Sequence, residues 1–167
     1  MSEAHARQAA RRAVAALGDR SVGVAESLTA GLVCATLGSI PGVSAVLRGG
    51  VVAYHPDVKI ALLGVDPALL RAGGAVQEAV AEAMATGACR VLRARFGVAT
   101  TGVAGPGQAD GHPAGTVWVS AHDSVSGASA SRLLQTAGER DQVRWAATAA
   151  ALVLLAELAE QNPSTPR

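Results

Sequence analysis

The chain has 167 residues, of which 50% are hydrophobic and only 2% aromatic, and its charges nearly cancel to a net +1. This length fits one domain, and the weak net charge excludes a broad nucleic-acid-binding surface, which requires a concentrated basic face. The low aromatic content predicts a tightly packed core of Ala, Val and Leu.

The first half of the chain predicts alternating helices and strands. The alanine spacing of Glu3–Leu17 is helical, and Gly18-Asp19 ends that helix. A buried strand over 21–25 and a helix from Thr29 are expected next. Further on we predict a strand over 51–54, a helix over 58–63 that Asp57 caps, and a short helix from Asp66-Pro67.

The second half predicts a long helix over 77–95 and strands over 98–101, 116–121 and 128–134, with a final helix from Arg140 into the 150s. Residues 102–115 hold five glycines and form a loop, and 163–167 are expected to fray. The pattern predicts an α/β fold: a single layered domain over 1–167 (core about 21–158) with a mixed β-sheet flanked by helices.

The helix after Arg144 is apolar on nearly all sides through Leu155, which predicts a buried helix and a homo-oligomer. Its apolar stretch, 145–156, is shorter than the roughly 20 residues of a membrane span, so no membrane partner is expected. Cys34 and Cys89 form no CxxC pair and no signal peptide opens the chain, which predicts a cytoplasmic location.

The histidines and cysteines give no metal-ligand spacing: no HExxH or HxxxH pair occurs among His5, His55, His112 and His122. The GxSxG and P-loop motifs are absent as well. We therefore expect no metal and no cofactor.

The segment 25–31 lies between a predicted strand and a predicted helix and contains Ser27 and Thr29. Ligands of open α/β sheets bind at the carboxyl ends of strands, and a helix N-terminus favours phosphate. Ordinary capping of the helix by Ser or Thr is an equally good interpretation.

The Gly-rich segment 100–107 also follows a predicted strand. Glycines let the backbone approach a ligand closely, although a flexible turn explains them as well. Two loops of this kind at strand ends favour a shared binding site.

Residues 41–59 carry four polar side chains on apolar ground: Ser44, Arg48, Tyr54 and Lys59. Lys59 is the only lysine among 14 basic residues. An ammonium can lose its proton when desolvated and arginine effectively cannot, so Lys59 is a candidate base for a serine nucleophile. The alternative is a surface lysine on a helical turn.

Seven motifs, in their order and spacing, resemble the CinA C-terminal domain family: AESLTAG, PGVSAVLRGGVVAYHPDVK, LLGV, GAVQEAVAEAMA, TTGVAGP, PAGTVWVS and GERDQVR. The resemblance runs from about Ser21 to Leu155 and is to the single-domain form. It implies a nicotinamide mononucleotide amidohydrolase, with this nucleotide as the small-molecule partner.

By matched position the resemblance implies a catalytic set of Ser44 as nucleophile, Lys59 as base, Tyr54 and Thr101. It implies substrate binding by Ser27, Thr29, Arg48, Gly49, Gly102 and Arg140. Two positions depart from the family pattern: Ala30 stands where glycine is usual, and Gln77 where serine is usual. The alternative in another class is a non-catalytic nucleotide-binding or regulatory module, which an ammonia-release assay distinguishes from an enzyme.

Overall fold

Helices and strands alternate up to residue 63, as predicted for the early part of the chain, and two more helices, three strands and a final helix follow. The computed structural model describes residues 1–163, so most of the segment expected to fray lies outside the described residues. The helices are α1 (Glu3–Leu17), α2 (Leu32–Gly38), α3 (Pro56–Leu63), α4 (Pro67–Gly73), α5 (Glu78–Leu92) and α6 (Arg140–Gln161), with a 3-10 turn at Val43–Ala45. The strands are β1 (Val22–Glu26), β2 (Leu47–Val52), β3 (Phe96–Gly102), β4 (Thr116–Asp123) and β5 (Ser129–Gln135).

The five strands form one mixed sheet in the order β2-β1-β3-β4-β5, which confirms the predicted α/β fold. β1 pairs in parallel with both β2 and β3, whereas β4 pairs antiparallel with both β3 and β5. The carboxyl ends of β1, β2 and β3 therefore meet at one edge of the sheet, where the loops after Glu26, Val52 and Gly102 come together.

The two faces of the sheet carry side chains of different size. Val22, Val24, Phe96 and Val98 contribute to the core beneath α1, α2 and α6. On the other face, Gly97 lets α5 approach so closely that a Cβ there would lie 2.0 Å from the Ala85 carbonyl oxygen. Small side chains thus replace the missing aromatic bulk, as the composition predicted.

Helix α6 is covered within the chain, since it packs against α1, α2, β3, β4 and β5. Among the described helices it alone is long and apolar enough to cross a membrane, yet 72% of its most apolar window is buried, as in the core helix of a soluble domain. Its all-round apolar character is explained by this burial and no longer argues for an oligomer.

Several element boundaries differ from the predicted ones because tertiary pairing decides them. β2 begins at Leu47 and includes Gly49 and Gly50, because its backbone pairs with the buried strand β1. Helix α2 begins at Leu32 rather than Thr29, because Ala30 and Gly31 adopt positive φ values of 50° and 101° and form a turn.

Ala30→Gly is expected to raise the free energy of unfolding by about 1 kcal/mol, because a residue with a Cβ is strained in the left-handed region. Ala30 is exposed, so the change removes little packing. The matched control is Ala35→Gly, an exposed site inside α2, which should lower the free energy of unfolding by about 1 kcal/mol. Equilibrium urea unfolding measures both, and a loss of stability in Ala30→Gly would contradict the expectation.

Candidate active site

A cavity of about 370 Å³ opens at the carboxyl edge of the parallel strands. Its size lies in the range of small-molecule sites, roughly 300 to 1,000 Å³. The walls come from the ends of β1 and β3, the start of α3, the α4–α5 junction and the start of α6. The lining residues are 27–28, Tyr54, Pro56, Lys59, 75–76, 101–110 and Arg140.

Ser27 and Lys59 meet inside this cavity. Ser27 is the first residue after β1, and its N–H donates to the Thr100 carbonyl at 3.0 Å, which ties it to β3. Lys59 lies in α3, and its Nζ is 2.9 Å from Ser27 Oγ. The same Nζ donates to the carbonyl oxygens of Ala53 at 2.7 Å and Tyr54 at 3.2 Å.

The environment of Lys59 disfavours its charged form. The side chain is only 1% exposed, and this burial lowers its pKa from 10.5 to about 8, against a smaller opposing effect of the Asp110 carboxylate. A substantial fraction of the amine is therefore neutral near physiological pH. A neutral amine beside a hydroxyl is the arrangement that activates a serine nucleophile.

The expected pairing of Ser44 with Lys59 is wrong in this structure. Ser44 is exposed in the 3-10 turn before β2, and β2 starts level with the start of β1, Leu47 opposite Val22. Ser44 and the cavity lie at opposite edges of the sheet, separated by a strand length of roughly 15 Å. Ser27, predicted only as a substrate-binding residue, is the hydroxyl partner of Lys59.

Arg48 and Gly49 also lie away from the cavity that they were expected to line. Arg48 is exposed, and its Nε donates to the Leu92 carbonyl at 3.3 Å. Gly49 is half-buried in β2, where an added Cβ would lie 3.5 Å from Leu92. Both residues belong to the early part of β2, which explains their distance from its carboxyl end.

Four other predicted site residues do line the cavity. Thr101 is buried and donates its hydroxyl to the Ala75 carbonyl at 2.8 Å, and Gly102 follows it at the end of β3. Arg140 and Tyr54 form an exposed pair at the rim, with Arg140 Nη2 2.8 Å from Tyr54 Oη.

The N-terminus of α2 does not offer the expected phosphate site, because a buried carboxylate of the protein already fills it. Glu26 Oε2 accepts from the N–H groups of Gly31 at 2.9 Å and Val33 at 3.1 Å, and Oε1 accepts from Cys34 at 2.9 Å. Thr29 is fully buried, bonds to the Thr100 hydroxyl at 2.7 Å and does not line the cavity.

Two functional candidates were missed in the sequence. Arg144 donates to the carbonyls of Leu28 at 3.2 Å and Thr29 at 3.0 Å, so it holds the turn directly after Ser27. It lies one helical turn beyond Arg140, a spacing that places both on one side of α6. The other missed residue is Asp110, which lines the cavity from the Gly-rich loop.

The described part of the chain contains no group of three or more His, Cys, Asp or Glu side chains arranged to hold a metal ion.

Comparisons with known proteins identify the family of the chain. The model of the CinA C-terminal domain family matches residues 4–159. A CinA-like protein of Mycolicibacterium paratuberculosis is 46% identical, with 85% of this chain and 34% of that protein covered. For a CinA-like protein of Frankia casuarinae the values are 40%, 87% and 33%. The chain thus spans about a third of the length of these curated relatives.

Solved structures give the same result. The competence/damage inducible protein CihA from Agrobacterium tumefaciens is 35% identical with a TM-score of 0.87, covering 92% of this chain and 95% of that one. A CinA superfamily protein from Escherichia coli is 32% identical with a TM-score of 0.82, covering 93% and 89%. The chain belongs to the CinA C-terminal domain family.

Proposed function

We propose that the chain hydrolyses the carboxamide of nicotinamide mononucleotide to nicotinic acid mononucleotide and ammonia, with Ser27 as the nucleophile and Lys59 as the base. One observation carries the proposal: the only lysine of the chain is buried with its Nζ 2.9 Å from a serine hydroxyl that lines a cavity. Family membership and the size of the cavity support this choice of substrate.

The hydrogen bonds of Lys59 explain how the amine acts as a base. When Nζ is protonated, its three N–H groups donate to Ser27 Oγ and to the carbonyls of Ala53 and Tyr54. When Nζ is neutral, the two carbonyls hold its two remaining N–H groups. The lone pair then faces the Ser27 hydroxyl, which is the orientation needed to accept its proton.

The reaction proceeds in two stages. Ser27 Oγ attacks the carboxamide carbon while its proton passes to Lys59, and the carbonyl oxygen becomes an oxyanion. The C–N bond then breaks as Lys59 returns the proton to the leaving nitrogen, which departs as ammonia. Water next attacks the acyl-enzyme with Lys59 again as base, which releases the carboxylic acid and restores the Ser27 hydroxyl.

The backbone N–H of Leu28, directly after the nucleophile, serves as an oxyanion donor. Within residues 1–163, the N–H groups of Leu28 and Thr29 have no acceptor, and Leu28 lines the cavity. The Ala30 N–H donates to the Ser27 carbonyl at 3.0 Å, which fixes the peptide that carries the Leu28 N–H, and Arg144 fixes the next two peptides through the carbonyls of Leu28 and Thr29. Donors fixed before the reaction lower the barrier because they need no reorganisation.

The rim of the cavity supplies the groups for the remainder of the substrate. Arg140 is an exposed cation that is already oriented by Tyr54 and by the Gly105 carbonyl, at 2.5 Å. We assign it to the 5′-phosphate, because Glu26 occupies the helix N-terminus. A small-molecule reaction of this kind fits a cytoplasmic enzyme that does not bind nucleic acid.

A homo-oligomeric state stays a prediction, which light scattering can test.

Ser27→Ala is expected to lower kcat for ammonia release at least about a thousandfold while leaving the affinity for nicotinamide mononucleotide largely intact. The hydroxyl acts mainly in the transition state, so its loss affects turnover more than binding. Ser44→Ala is the matched control and should keep wild-type kcat. An ammonia assay together with calorimetric binding checks both variants. Loss of activity in Ser44→Ala but not in Ser27→Ala would overturn the assignment, and binding without turnover in the wild type would favour the non-catalytic module.

The kcat/KM for nicotinamide mononucleotide should rise about tenfold per pH unit below pH 8 and level off above it, because only neutral Lys59 accepts the proton. Lys59→Arg should lower kcat about a hundredfold or more and abolish this limb, since a guanidinium stays charged. Urea unfolding of the variant separates this effect from misfolding. A flat profile in the wild type between pH 6 and 8 would contradict the role of Lys59.

A further inference from the structure

The Gly-rich loop between β3 and β4 brings one carboxylate to the cavity. Asp110 is the only acidic residue among those that line it, and the basic residues there are Lys59 and Arg140. The mechanism proposed above makes no use of this carboxylate.

Asp110 is held in a defined position by its contacts with residues 74 and 75. Its Oδ2 accepts from the Ala75 N–H at 2.7 Å, across the cavity wall at the α4–α5 junction. Gly74 makes room for it, because a Cβ at residue 74 would lie only 2.5 Å from Asp110 Cγ. Asp110 and Gly111 have positive φ values of 50° and 76° and form a two-residue turn that Ala109 and His112 close, a turn in which Asp-Gly is a favoured sequence.

The backbone that binds Asp110 is itself held by two other side chains, Gln77 and Thr101. Gln77 Nε2 donates to the carbonyls of Leu69 at 2.8 Å and Gly74 at 2.6 Å. Thr101 Oγ1 donates to the Ala75 carbonyl at 2.8 Å, so both backbone groups of Ala75 are bound at the cavity wall. This explains Gln77, one of the two departures from the family pattern: its amide fixes the turn on which Asp110 rests.

The charge of Asp110 is not neutralised within the described residues. Its hydrogen-bond donor is a backbone N–H, and no Arg, Lys or His side chain forms a salt bridge with it. The carboxylate also acts on the reaction centre, since it raises the pKa of Lys59 against the larger effect of burial. The cavity therefore holds a fixed negative charge that is available to a ligand.

We propose that Asp110 is a specificity-determining residue that selects a carboxamide whose aromatic ring carries a positive charge. The inference rests on the proposed function: the pyridinium ring of nicotinamide mononucleotide is a cation next to the carboxamide that Ser27 attacks. A fixed carboxylate attracts such a ring and does not attract the uncharged dihydropyridine ring of the reduced nucleotide. Because Asp110 is exposed, water and salt weaken the attraction, and we expect an effect of about fivefold on affinity.

Asp110→Asn separates charge from geometry. The asparagine amide oxygen still accepts from the Ala75 N–H, so the hydrogen bond that positions the loop is preserved while the charge is lost. The matched control is Glu78→Gln, which removes the same charge from an exposed residue beside the supporting turn but outside the cavity.

The test measures binding in a Ser27→Ala background, where no turnover interferes. Calorimetry gives the Kd of nicotinamide mononucleotide and of its reduced form, whose ring is uncharged. Both are measured for Ser27→Ala with and without Asp110→Asn. The expected result is a Kd about five times higher for the cationic form only with Asp110→Asn, and no change with Glu78→Gln. Equal changes for both forms, or none for either, would overturn the proposal. An enzyme that binds nicotinamide mononucleotide in this charge-dependent way yet releases no ammonia with Ser27 intact would refute the proposed function and leave the role of Asp110 standing.

Discussion

The burial of one ammonium group organises this molecule. Taking a lysine out of water costs several kcal/mol unless its donors find acceptors, and Lys59 finds three, on Ser27, Ala53 and Tyr54. These acceptors belong to the segments that follow β1 and β2, so the amine joins α3 to two strand ends. Helix α3 is in turn fixed by Gly87 in α5, where a Cβ would lie 2.2 Å from the Leu63 carbonyl oxygen. The position of the base thus depends on a glycine far from the cavity.

The turn that carries Ser27 is held from both sides by residues of opposite charge, Glu26 and Arg144. The Glu26 carboxylate precedes Ser27 and binds the N-terminus of α2, where the helix dipole stabilises its negative charge. Arg144 approaches from α6 and binds the carbonyls after Ser27. A helix N-terminus commonly binds a substrate phosphate, but here it binds the protein's own Glu26, next to Ser27. In the proposed function, phosphate recognition therefore falls to Arg140 at the rim of the cavity.

The fold could be predicted from the sequence because its signals are local. Glu3–Leu17 shows helical spacing, and Asp66 accepts from the Ala68 N–H as the expected cap of α4. The site was predicted only in part, because each candidate serine lies beside a strand and near glycines. Ser27 follows β1 and Ser44 precedes β2, and only the parallel pairing of these strands shows that Ser27 lies at the same strand ends as Lys59. The role of Glu26 was hidden for the same reason. A buried carboxylate and a catalytic one look alike until their hydrogen-bond partners are known.

Lys59 is also the single side-chain amine of the chain, and it is almost completely enclosed. Amine-directed chemistry such as carbamylation by cyanate, or labelling with an acylating ester, consequently has one side-chain target, and that target lies at the bottom of the cavity. Modification at this position requires the reagent to enter past Tyr54 and Arg140 at the rim. At a fixed pH, where the neutral fraction of the amine is constant, the rate of such labelling therefore reports how readily a small solute reaches Lys59 through the cavity.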